Sequence, residues 1–243
     1  MSNLPEILWL NTSPSLRYLD QPLLRYLCFQ GVTGEWNYCQ NPDEASSLDI
    51  ALVLLHDYLK SHDKPIHLIG HSTGGLLGLL YARRYPERIK SLTLLAVGVH
   101  PAVDWQAHYY VQRKLLPCSR HCILSQMVNN LFGSQDKYTN NYLIKVLEQD
   151  LENSPSPHSL FQRVSISETG VSVPLLVCGS KDDIIVDSRE LQGWQPWLKE
   201  SDRIWECPQG HHFFHYFQPT LVGRQIIKFW NSLHTESLIK LPR

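Results

Sequence analysis

Short apolar runs alternate with longer amphipathic ones along this chain, which predicts an α/β protein with a mostly parallel central sheet flanked by helices. Ile7 to Leu10 is the first apolar run and stops at the polar turn Asn11-Thr12-Ser13-Pro14. Tyr26 to Phe29 reads as a second strand, ending near Gly31 and Gly34. Asn41-Pro42-Asp43-Glu44 has the chemistry of a helix start. A capping side chain and a first-turn proline come first, and two acids then face the positive end of the dipole. Leu48, Ala51, Leu52, Leu55, Tyr58 and Leu59 fall on one face of that helix. Ile66 to Ile69 reads as a buried parallel strand, Gly70 to Gly75 as a turn, and Leu76 to Tyr85 as a helix closed by Pro86. Further strands are predicted at Ser91 to Val97, Val173 to Cys178 and Arg203 to Cys207, and a last helix from Pro219 to His234.

Between Val97 and Val173 the strand signal stops, and the stretch is too long for a simple crossover. Residues 101–170 are therefore read as a helical cap inserted into a core made of 1–100 and 171–243. Polar turns at 70–75, 179–183 and 208–212 each follow the C-terminal end of a predicted strand. In an open α/β sheet those ends are where sites are assembled.

Composition narrows the function classes. With 43% hydrophobic and 19% charged residues and a formal net charge of -1, no global field favours nucleic acid or an anionic membrane. The start Met1-Ser2-Asn3-Leu4-Pro5-Glu6 lacks the pattern of a signal peptide, and no apolar stretch approaches the roughly 18–20 residues that span a bilayer. A cytoplasmic setting with six reduced thiols is the expectation. Cys118 and Cys122 bracket His121, but no second ligand pair sits at a zinc-like distance, so neither metal nor cofactor is expected.

The chemistry centres on Gly70-His71-Ser72-Thr73-Gly74-Gly75. A serine hydroxyl attacks only when a base takes its proton. Gly-x-Ser-x-Gly between a strand and a helix lifts the hydroxyl above the sheet. It also aims the first N–H groups of the helix at the same point. Asp182 lies in the turn after a buried strand, and His211 and His212 lie in the turn after the next, giving the order Ser, Asp, His.

These motifs resemble the α/β-hydrolase superfamily over nearly the whole chain. The segment Val177-Cys178-Gly179-Ser180-Lys181-Asp182 resembles the family's strand-then-acid turn, which implies Asp182 as the acid ahead of its neighbour Asp183. His212 to Pro219 resembles the family's His-Phe ending, which implies His212 as the base ahead of His211. The oxyanion hole is implied to use the backbone N–H groups of Thr73 and Ser13, with Thr12 as the second choice. Here the chain departs from the family's His-Gly-x-Pro and carries Asn11-Thr12-Ser13-Pro14. A second departure is Gly31-Val32-Thr33-Gly34-Glu35-Trp36, which replaces an acidic residue and a Gly-x-Gly-x-Ser run.

The implied activity is hydrolysis of a small-molecule, ester-like substrate through an acyl-enzyme. A triad-bearing lyase, of hydroxynitrile-lyase or menaquinone-pathway type, is one alternative. The menaquinone-pathway group carries an arginine where this chain has Leu76. A non-catalytic binding protein on the same fold is the other. Neither the acyl preference nor the oligomeric state is legible.

Overall fold

The computed structural model describes residues 5–40, 47–159, 161 and 164–239. The described strands are β1 (Ile7–Asn11), β2 (Thr33–Asn37), β3 (Ile66–His71), β4 (Ile89–Leu95), β5 (Leu175–Ser180) and β6 (Arg203–Cys207). They form one parallel sheet in the order β2-β1-β3-β4-β5-β6. The central strands are buried almost throughout, which is why they read as largely apolar runs. The edge strands β2 and β6 are only half-buried and carry mixed sequence.

The helices are α1 (Gln21–Leu27), α2 (Leu48–Leu59), α3 (Ser72–Arg84), α4 (Trp105–Leu115), α5 (Arg120–Phe132), α6 (Lys137–Asn153), α7 (Ser188–Gln192), α8 (Phe214–Phe217) and α9 (Pro219–Ile239). Apolar residues of α2 and α3 pack on one face of the sheet, and those of α1 and α9 on the other. Strand order reverses beside β1, so the crevice outside the C-terminal ends of β1 and β3 is the switch point where such sheets place their sites.

The second predicted strand is wrong. Tyr26 and Leu27 close α1, Cys28 and Phe29 are turn, and the strand comes later, at Thr33–Asn37. Pro22 near the helix start and the spacing of Leu23, Leu24 and Leu27 outweigh the short apolar run. The predicted helix start at Asn41 to Glu44 lies outside the described residues. α2 is capped at its first described turn by Ser47, which accepts from the Asp49 N–H.

Helices α4, α5 and α6 stand between β4 and β5 and share an apolar cluster of their own, with Trp105, Leu124, Met127 and Leu147 buried in it. Leu16 and Leu19, just beyond the β1 turn, and Phe213, just beyond the β6 turn, belong to the same cluster. The insertion thus packs on the loops at the C-terminal edge of the sheet. Phe132 of α5 stacks on Phe213 with ring centroids 4.8 Å apart.

Candidate active site

Ser72 follows β3 directly and opens α3 with φ +49°, a left-handed conformation that costs a side-chain-bearing residue about 1–2 kcal/mol. Two glycines make room for it. A Cβ on Gly70 would lie 2.5 Å from the backbone of Gly74 and Gly75, and one on Gly74 would lie 2.4 Å from the Leu10 carbonyl oxygen. The Ser72 Oγ is buried and has no hydrogen-bond partner. Thr73 sits in the first turn of α3, where the N–H groups lack an intrahelical acceptor. Its hydroxyl donates to Asp104 Oδ2 at 3.0 Å, and Asp104 Oδ1 caps α4 by accepting from the Ala107 N–H at 2.8 Å. One carboxylate thus ties the insertion to the serine turn.

His212 is fully buried, and its Nδ1 donates to Asp183 Oδ2 at 2.9 Å. The carboxylate on His212 is therefore that of Asp183, whereas the sequence reading favoured Asp182. Asp183 is itself held, its Oδ1 accepting from the N–H groups of Ile185 at 2.8 Å and Val186 at 3.2 Å. Asp182 faces the other way. It accepts from the Ser180 hydroxyl at 2.6 Å and from the N–H groups of Gly210 at 3.1 Å and His211 at 2.9 Å. Burial works to raise its pKa, but those donors prevail and hold it below the usual carboxylate value. Asp182 thus joins the β5 turn to the β6 turn. His211 lies over Gly133 of the insertion, beside Asp182 rather than Asp183.

With Nδ1–H committed to Asp183, His212 Nε2 carries a bare lone pair, and it is buried without a partner. His71 donates from Nε2 to the His212 carbonyl oxygen at 3.0 Å, so the residue before the serine grips the backbone of the histidine. Burial, and then the nearby His215 and His212, hold the His71 pKa well below the usual histidine value, which keeps its ring neutral. A second buried pair lies alongside: His215 Nε2 is 3.0 Å from Asp20 Oδ1, and Trp9 donates to Asp20 Oδ2 at 2.9 Å. Nothing in the sequence announced that pairing, since Asp20 and His215 lie 195 positions apart. His67 pairs with Ser91 Oγ at 2.6 Å.

The turn after β1 departs from the sequence expectation. Asn11 Oδ1 accepts from the Ser13 N–H at 2.8 Å, so the donor assigned to the oxyanion hole is already engaged. Asn11 Nδ2 in turn reaches Asn37 Oδ1 at 3.1 Å, and Glu35 holds Arg17 through two contacts of 2.7 Å. The run Gly31 to Trp36 thereby gains a role, because its Glu35 and the following Asn37 brace the altered turn. Thr12 and Ser72 line a common cavity of about 20 Å³, walled by Trp9, Trp105 and Phe213. That is room for about one water.

Asp150 of α6 is fully buried nearby and accepts from the Ser154 hydroxyl at 2.6 Å. Burial pushes its pKa up to about 7, against relief from Ser154, Ser13 and Gln106. With its folded value above the ordinary Asp value of 3.8, the group contributes its full stabilisation below about pH 4. That stabilisation is lost as pH rises to about 7, a swing of about 4 kcal/mol. Asp150→Asn is expected to flatten the fall in urea-unfolding free energy between about pH 4 and 7. Equal pH slopes for the two proteins would contradict this account.

Among the described residues no group of three or more His, Cys, Asp or Glu side chains could hold a metal ion, and no helix is long and apolar enough to cross a membrane. The model of the α/β hydrolase fold family matches residues 57–120, which run from the end of α2 through β3, the serine turn, α3, β4 and α4. The solved naproxen esterase of Bacillus subtilis is similar in structure, with a TM-score of 0.69 at 17% identity, covering 95% of this chain and 85% of that one. The enol-lactonase of Burkholderia xenovorans has a TM-score of 0.69 at 16% identity, covering 95% and 92%. The chain has the α/β-hydrolase fold. It shares a family with an uncharacterized protein of Nostoc sp., 47% identical over 238 residues, or 98% of this chain and 95% of that protein.

Proposed function

We propose that this chain is a serine hydrolase, cleaving a carboxylic ester or related acyl bond, with Ser72 as nucleophile, His212 as base and Asp183 as the acid that orients it. The single observation that carries the reading is that two buried, unpartnered atoms lie on turns joined by the His71 contact to the His212 carbonyl. Ser72 Oγ sits on a strained turn, and His212 Nε2 has its proton held on the opposite nitrogen by Asp183. Buried polar groups ordinarily find partners, so two left open beside each other's turns point to a reaction. In attack, the Ser72 oxygen bonds to the acyl carbon while its proton passes to His212 Nε2. The leaving alcohol takes that proton as the C–O bond breaks, and water then repeats the sequence on the acyl-enzyme. The esterase and lactonase names among the structural relatives agree with this chemistry.

Residues 101–170 act as the cap in this proposal. A cavity of about 420 Å³ lies under α4, walled by Val103, Ala107 and Val111 with Val164 and Ile166. His108 lines it and also bonds the backbone of Ile185, in the turn that carries Asp183. That lining suits an apolar acyl or alcohol group. A fluorophosphonate probe is expected to label the protein on the peptide containing Ser72. Nitrophenyl esters of rising chain length are expected to turn over faster until the cavity is filled. Absence of both labelling and hydrolysis in the folded protein would leave a binding protein as the reading.

A further inference from the structure

The Ser13 N–H lies in the expected register of the second oxyanion donor, but it is bonded to Asn11 Oδ1 at 2.8 Å. An oxyanion held by the Thr73 N–H alone is half-solvated in a site that admits about one water. A different donor stands at the same wall. Thr12 is 2% exposed, lines the cavity it shares with Ser72, and its Oγ1 is buried with no hydrogen-bond partner. The position is fixed by the nucleophile turn itself: Thr12 Oγ1 lies 3.8 Å from where a Cβ on Gly74 would stand, over the first turn of α3.

We propose that the Thr12 side-chain hydroxyl is a catalytic residue of this site, donating the second hydrogen bond to the substrate oxyanion in place of the Ser13 N–H. The inference rests on Ser72 being the nucleophile. As the Ser72 oxygen bonds to the carbonyl carbon, the C=O π pair moves onto oxygen. Thr12 Oγ1–H and Thr73 N–H then converge on that charge, and neither gives up its proton. When the C–O bond to the leaving group breaks, the pair returns to the carbonyl. A hydroxyl suits this role because it rotates: before substrate binds it has no protein partner to abandon. The Asn11, Glu35 and Asn37 network explains why the Thr12 backbone holds still while its side chain stays free.

The test compares Thr12→Val, which keeps the shape and removes the donor, with Thr12→Ser, which keeps the donor and removes the methyl. Thr12→Val is expected to lower kcat on a nitrophenyl ester by about 10²–10³-fold with little change in KM. Affinity for a boronic acid, which mimics the tetrahedral intermediate, should fall in parallel. Thr12→Ser is expected to stay within about tenfold of the parent. Thermal melts check that all three are folded. A Thr12→Val protein that keeps both kcat and boronate affinity overturns the proposal, and so do equal losses in the two variants, which would place the methyl group rather than the hydroxyl in the role. Fluorophosphonate labelling of the parent protein separates the two levels. If Ser72 labels but Thr12→Val is unaffected, only the donor assignment falls. If Ser72 does not label, the serine-hydrolase reading falls and takes this one with it.

Discussion

Ser72→Ala is expected to lower ester hydrolysis by about 10⁵-fold or more while leaving the protein at least as stable as the parent. The two halves of that result come from one feature. The Ser72 hydroxyl is buried and makes no hydrogen bond, so its removal takes away a desolvated polar group rather than a stabilising contact. For most buried serines the opposite holds, because the hydroxyl is satisfied and its loss orphans a partner. The backbone strain at φ +49° remains in the alanine variant and is relieved in Ser72→Gly, which has no Cβ to crowd the following carbonyl. The glycine variant is therefore expected to unfold at a higher urea concentration than the alanine variant, by about 1 kcal/mol, with both inactive. Kinetics on a nitrophenyl ester and urea titrations check both statements. Activity in Ser72→Ala equal to the parent would remove the nucleophile assignment. A large stability loss would show that Ser72 holds the turn together.

Much of the site was legible in the sequence because close backbone approach leaves a residue-type signature. Gly70 and Gly74 are required where β3, α3 and β1 meet, so the serine turn announces itself as glycines between an apolar run and a helix. The buried strands were legible for a related reason, since helices cover both faces of the sheet and most positions are apolar. What the sequence did not reveal depends on where adjacent side chains point. Asp182 and Asp183 differ by one position, and only the fold of the 180–186 turn decides which of them faces His212. The Ser13 N–H was lost to the reading for the same kind of reason. A short Asn side chain two positions back can compete for a backbone donor, and whether it does depends on the turn it helps to form. The strand misplaced to Tyr26–Phe29 is a matter of scale, because four apolar residues fit the end of a helix as well as a strand.

Asp183→Asn is expected to lower kcat by about 10⁴-fold, and Asp182→Asn by far less, although Asp182→Asn should cost more stability. In Asp183→Asn the amide oxygen can keep the N–H groups of Ile185 and Val186, which places the amide nitrogen against His212. Two donors cannot face each other, so His212 turns its lone pair toward the amide and carries its proton on Nε2. A ring in that tautomer cannot take a proton from Ser72, and the loss falls on kcat rather than on KM. At position 182 the geometry is reversed. Both Asp182 oxygens accept: Oδ1 from Ser180 and the His211 N–H, and Oδ2 from the Gly210 N–H. An amide nitrogen there opposes at least one N–H, leaves a buried donor unpaired and costs about 1–3 kcal/mol. His212 keeps its own acid throughout, so turnover per folded molecule should change little. Steady-state kinetics with urea unfolding on the two single variants separates the outcomes. A 10⁴-fold loss of kcat in folded Asp182→Asn, with Asp183→Asn still active, would return the acid to position 182. The expected pattern, rate lost at 183 and stability at 182, assigns proton chemistry to one carboxylate and loop positioning to its neighbour.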